Sequence, residues 1–163
     1  MRHDRIPLLC ILITALVLVP TTASPQKPGQ LPKRAPNLVV SSLSARLVGT
    51  NSVEYKWTIT NVGDAPANLD GPTSAQTDNV SVQAYISKDT VFGNAGDLPA
   101  GGTIIGLSPL GMLAPHASRA GSFTATIHAS AALYPYLVLK VDWGSVVAES
   151  NEDDNCAAVG IAR

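Results

Sequence analysis

Strict alternation over nine residues is the feature that constrains this chain most. In 52–60, SVEYKWTIT, Val53, Tyr55, Trp57 and Ile59 fall on one face, and Glu54, Lys56, Thr58 and Thr60 on the other. Period two with β-branched and aromatic residues marks a strand buried on one side. A slip of one residue would turn Trp57 to water, so the register is strongly specified. The pattern returns three times. In 79–87, NVSVQAYIS, it aims Val80, Val82, Ala84 and Ile86 inward and Tyr85 outward. In 121–127, GSFTATI, it aligns Phe123, Ala125 and Ile127, and in 136–143, YLVLKVDW, it aligns Leu137, Leu139, Val141 and Trp143, the last at the strand end and open to either core or rim. Apolar stretches at 37–46, 102–107 and 156–161 complete a set of seven candidate strands. No long segment carries a 3.6-residue period, and the connections are rich in Gly, Pro, Asn and Asp, which suit turns. These features predict an all-β, immunoglobulin-like antiparallel β-sandwich of about seven strands, without the Cys–Trp–Cys spacing of antibody domains.

The 163 residues allow one such domain. Arg2 and Arg5 precede an apolar run from Ile6 to Val19, followed by Pro20 and small residues at Thr21 and Ala23. Residues 1–23 therefore read as a secretory signal peptide. The run is shorter than the roughly 20 residues of a spanning helix, and a retained anchor is the alternative. Residues 24–36, SPQKPGQLPKRAP, hold four prolines and read as an extended basic linker. The domain then occupies 37–163. It is expected to be secreted or periplasmic, monomeric, and without a membrane span once the leader is cleaved.

Charge excludes one class of partner. From Asn37 onward the sequence has 6 basic and 11 acidic residues, a balance of 6 − 11 = −5. A nucleic-acid surface needs a basic stripe, which is missing here. Cys10 departs with the leader, and Cys156 is left as the one cysteine, which rules out an internal disulfide in the mature chain. The expectation is a small buried hydrophobe on a strand, with an intermolecular bridge as the alternative.

Five short motifs, in order, resemble the CARDB domain, the cell-adhesion-related domain found in bacteria. They are PNLVVSSLS (36–44), TNVGDAPA (60–67), AYISKDTVFGNAGDLPAGG (84–102), LAPHAS (113–118) and VAESNEDDN (147–155). His116 stands where that family usually has a turn glycine, and Asp154 where it usually has Asn. The resemblance implies an immunoglobulin-like module for surface attachment, ligand contact or spacing. It supplies no catalytic residues. The partner class it implies is a surface protein or a glycan.

The chemistry worth weighing lies in the acid-rich run ESNEDDN (149–155). Asp and Asn side chains bond their own nearby backbone and tolerate unusual φ, so the simplest reading is a self-satisfied turn. The alternative is calcium, which takes six to eight oxygens. Its candidate ligands are Glu149, Glu152, Asp153 and Asp154, together with Asp89 and Asp97 in a second loop, 88–102. The spacing does not match the Asp-x-Asp-x-Asp-Gly calcium loop. A glycosidase needs two carboxylates facing each other across a cleft, and one exposed run does not provide that. His116 and His128 have no metal-ligand spacing and no tie to Cys156 or a serine. The sequence reads as a non-enzymatic binding module, with a calcium-dependent or carbohydrate-binding accessory protein as the alternative.

Overall fold

The structure is a computed structural model that describes residues 8–9, 34–70, 79–100, 111–127 and 133–163. Most of the expected leader and linker, the expected strand at 102–107 and His128 lie outside the described residues. The strands are β1 (Leu8–Leu9), β2 (Leu38–Val48), β3 (Ser52–Asn61), β4 (Ala67–Asn68), β5 (Val82–Ser87), β6 (Val91–Phe92), β7 (Leu98–Pro99), β8 (Met112–Leu113), β9 (Ser118–Thr126), β10 (Tyr136–Val141) and β11 (Cys156–Ala162). Seven of them form one sheet in the order β7-β5-β10-β11-β2-β3-β9, while β1–β6 and β4–β8 are two-residue pairs.

The sheet curls so that its two halves enclose one core. Leu38, Val53, Trp57 and Ile59 from one half share an apolar cluster with Val82, Ile86, Leu137 and Leu139 from the other. The alternation of 52–60 holds: Val53, Tyr55, Trp57 and Ile59 are all at most 2 % exposed. Val80, Val82, Ala84 and Ile86 are buried as expected. Burying each Val or Ile among these contributes roughly 1.5–3 kcal/mol.

Three details depart from simple alternation. First, β2 changes register between Val40 and Ser42. Its inward positions accordingly move from Leu38 and Val40 to Leu43, Ala45 and Leu47. An extra residue in one strand has this effect, because the side-chain period is two. Second, the pairing of β11 with β2 is parallel, Ile161 opposite Ala45 and Ala162 opposite Arg46, whereas the other pairs in the sheet are antiparallel. This short parallel contact joins the two halves. Third, β10 is buried on both faces: Leu137, Val138, Leu139 and Val141 are each 0 % exposed. Val138 belongs to a second apolar cluster with Phe92 and Ala158, against which Tyr85 and Cys156 pack. Tyr85, expected to face solvent, and Cys156, expected to be buried, are both half-buried there.

Two of the connections depend on particular backbone geometry. A Cβ on Gly63 would lie 2.4 Å from the Ala35 carbonyl oxygen and 2.6 Å from the Asn37 nitrogen, so the chain before β2 needs glycine at this crossing. His116 has φ of 60°, the left-handed region that favours glycine, and its backbone N–H donates to the Asn61 carbonyl at 2.7 Å.

Candidate functional site

The loop between β10 and β11 begins with a strained turn. Asp142 and Ser145 have φ of 49° and 51°. Non-glycine residues enter this region at a cost of about 1–3 kcal/mol each. The Asp142 carboxylate holds the turn: it is 0 % exposed and accepts N–H bonds from Val146 and Val147, both at 2.9 Å. Burial pushes the Asp142 carboxyl up, opposed by those two bonds. The positive φ at Asp142 ends the alternation of β10. Trp143, aligned by sequence with Leu137, Leu139 and Val141, therefore turns out to the surface and is 39 % exposed. Its ring lies 5.5 Å from that of Phe92, which in turn meets Tyr85 edge-on at 5.3 Å. Tyr85, Phe92 and Trp143 thus form a continuous aromatic strip outside the main core.

The acid-rich run crosses the start of β2. Glu149 accepts an N–H bond from the Leu38 backbone with one oxygen, and from Asn155 Nδ2 at 2.8 Å with the other. Burial pushes its carboxyl up to about 7, outweighing the two bonds that lower it. Glu152 accepts from the Glu149 N–H at 2.9 Å, and the Asn151 side chain accepts from the Asp153 N–H at 3.1 Å. Asp154 accepts from Asn37 Nδ2 at 3.0 Å. In the other acidic loop, Asp89 accepts from the Val91 N–H at 2.8 Å and from Asn94 Nδ2 at 2.9 Å. Asp97 accepts from Gly93 at 2.7 Å and from Asn94 at 3.2 Å. These contacts are those of the turn reading, in which carboxylates serve the backbone.

The six sequence-predicted ligands are divided between these two loops. Among the described residues no three His, Cys, Asp or Glu side chains are grouped to hold a metal ion. Sequence reasoning missed Asn37, a buried polar residue that bonds Asp154 of the acid run, whose own last residue, Asn155, is also buried and bonds Glu149. The available signal was the Asn that opens the first strand motif, in the same family pattern as the acid run.

Depressions elsewhere offer little for acid–base chemistry. One of about 280 Å³ is lined by Ser44, Arg46, Glu54 and Lys56, and another of about 500 Å³ by Ser42, Lys56, Thr58 and Ser122. Glu54 in the first is ion-paired with Arg46. Neither depression brings two carboxylates or a histidine together. Among the described residues no helix is long and apolar enough to cross a membrane.

Curled sheet, strained loop and backbone-bound carboxylates together define an immunoglobulin-like β module. The chain belongs to the CARDB family, whose model matches residues 35–159. CARDB is a non-catalytic domain family. A search of curated proteins gave no match. The chain is similar to the crystal structure of the CARDB domain of the PF1109 protein from Pyrococcus furiosus, which that structure holds in complex with di-metal ions. The identity is 20 %, with 79 % of this chain and 94 % of that one covered, at a TM-score of 0.46. The solution structure of the same Pyrococcus furiosus domain is 19 % identical and covers 79 % of this chain and 95 % of that one, at a TM-score of 0.46.

Proposed function

We propose that this protein is a secreted, non-enzymatic adhesion or binding module that contacts a surface glycan or protein through a face presented by Trp143, backed by buried Phe92 and half-buried Tyr85. The observation that carries this reading is the presentation of Trp143. A turn with two left-handed non-glycine residues, held by a buried carboxylate, places an indole 39 % exposed beside a second aromatic ring. Strain of this kind persists where the surroundings over-determine it, and it clusters at contact sites. Tryptophan and tyrosine also dominate the energy of protein contacts. Of the six candidate carboxylates, by contrast, Glu149, Glu152, Asp89 and Asp97 accept backbone N–H bonds, Asp153 is exposed, and Asp154 accepts from the Asn37 side chain.

The test is a glycan array, with a pull-down from outer-surface extract, run on wild type and on Trp143→Ala. The reading expects a discrete ligand whose binding falls at least tenfold in the variant while the melting temperature holds. Binding that is indifferent to Trp143 would move the contact elsewhere. Turnover of an array glycan would overturn the non-enzymatic reading.

A further inference from the structure

Three buried oxygens beside the acid run have no donor. Asn155 is 0 % exposed and Asn37 is 7 % exposed. Each uses its amide nitrogen, Asn155 toward Glu149 and Asn37 toward Asp154. The Oδ1 atoms of both, and the second carboxylate oxygen of Asp154, are buried without a hydrogen-bond partner. Asn61 shows what a satisfied asparagine looks like in this fold. It is also 0 % exposed, but its oxygen accepts from Asn37 and Gly63, and its nitrogen donates to Ala65 and Leu113. Buried acceptors left unpaired are costly, and native proteins keep them rare.

The three side chains that carry these oxygens belong to one hydrogen-bonded group. Asn37 bonds Asp154, Asp154 adjoins Asn155, Asn155 bonds Glu149, and Glu149 bonds the backbone of Leu38, next to Asn37. Charge decides what would satisfy them. Residues 142–155 contain Asp142, Glu149, Glu152, Asp153 and Asp154, and no Lys, Arg or His. An oxygen-only, negatively charged group suits a hard cation, and calcium tolerates irregular sets of carboxylate and amide oxygens.

We propose that Asn37, Asp154 and Asn155, with Glu149 beside them, hold a calcium ion that ties the start of the first long strand to the last loop. With two carboxylates and two amides, this set differs from a group of three acids, histidines or cysteines. The low ligand charge places its affinity in the weak extracellular range, with Kd on the order of 10⁻⁴–10⁻³ M. The proposal is independent of what the aromatic strip binds.

The test is calorimetric titration of the purified, chelator-treated protein with calcium alone, and thermal melts with chelator or with calcium at roughly ten times Kd. Asp154→Asn and Asp153→Asn are compared with wild type. One bound calcium is expected, with Tm raised by about 5 °C. Asp154→Asn loses the response by at least tenfold in affinity, and the exposed Asp153→Asn keeps it. Should Asp154→Asn fail to fold, the wild-type titration and the Asp153 variant still decide. No calcium binding up to 10 mM overturns the proposal and leaves the three oxygens to buried water. A response removed at Asp153 but kept at Asp154 overturns it too, because the ion would then lie on the exposed acids.

Discussion

Gly121 faces Trp57 across β9 and β3, and a Cβ on Gly121 would lie 2.2 Å from the indole ring. The backbone of β9 therefore rests directly on the largest fully buried side chain of the core. Gly121→Ala must displace either the indole or the strand, a cost of about 2–3 kcal/mol. Gly160 has open space around its Cβ position and no left-handed φ, so Gly160→Ala should be neutral or slightly stabilising. Urea melts of the two variants check this contrast.

Trp57→Ala should destabilise the protein by roughly 3–5 kcal/mol, since Trp57 is 1 % exposed at the centre of the sandwich. Lys56→Ala, on the exposed face one position away, should stay within about 0.5 kcal/mol. Equal midpoint shifts in urea would contradict the register of β3.

His116 occupies a left-handed position with an exposed side chain. His116→Gly should remove the steric penalty and stabilise the protein by about 0.5–1 kcal/mol after the entropy cost of glycine. A fall in Tm would contradict this.

Burial pushes the Tyr55 phenol up to about 12 from 10.0. The charged form is the one disfavoured in the fold, so the folded value lies above the unfolded one. Stability from this group is complete below pH 10 and is lost as pH rises from 10 to 12, at up to about 1.4 kcal/mol per pH unit. Tyr55→Phe should lack that component, which melts at pH 9, 10 and 11 would reveal by difference.

How much of this was legible in the sequence follows from where side-chain period governs structure. Val53 to Ile59 and Val82 to Ile86 were readable because each sits on a strand with one buried face. The family motifs placed the turns, including His116 at a glycine position. The register change at Val40–Ser42 was not readable, since an inserted residue looks like continued sequence until its partner strand is known. Trp143 was left open between core and rim for a similar reason: the turn at Asp142 is held by bonds from Val146 and Val147, which follow it. The acid run was recognisable as a turn or a calcium loop. That it meets Asn37 is a contact 117 residues apart in sequence, and no local pattern encodes it.

The most direct test of the central claim, that the acid run serves the fold, is a pair of urea melts in chelator. Glu149→Ala strips the acceptor from the Leu38 N–H and from Asn155 Nδ2 together. Two donors left without their acceptor should cost about 3 kcal/mol. Asp153→Ala, exposed four residues later, should cost less than about 0.5 kcal/mol. A large midpoint shift for Glu149→Ala beside a negligible one for Asp153→Ala is the predicted result. An unshifted midpoint for Glu149→Ala would contradict the account.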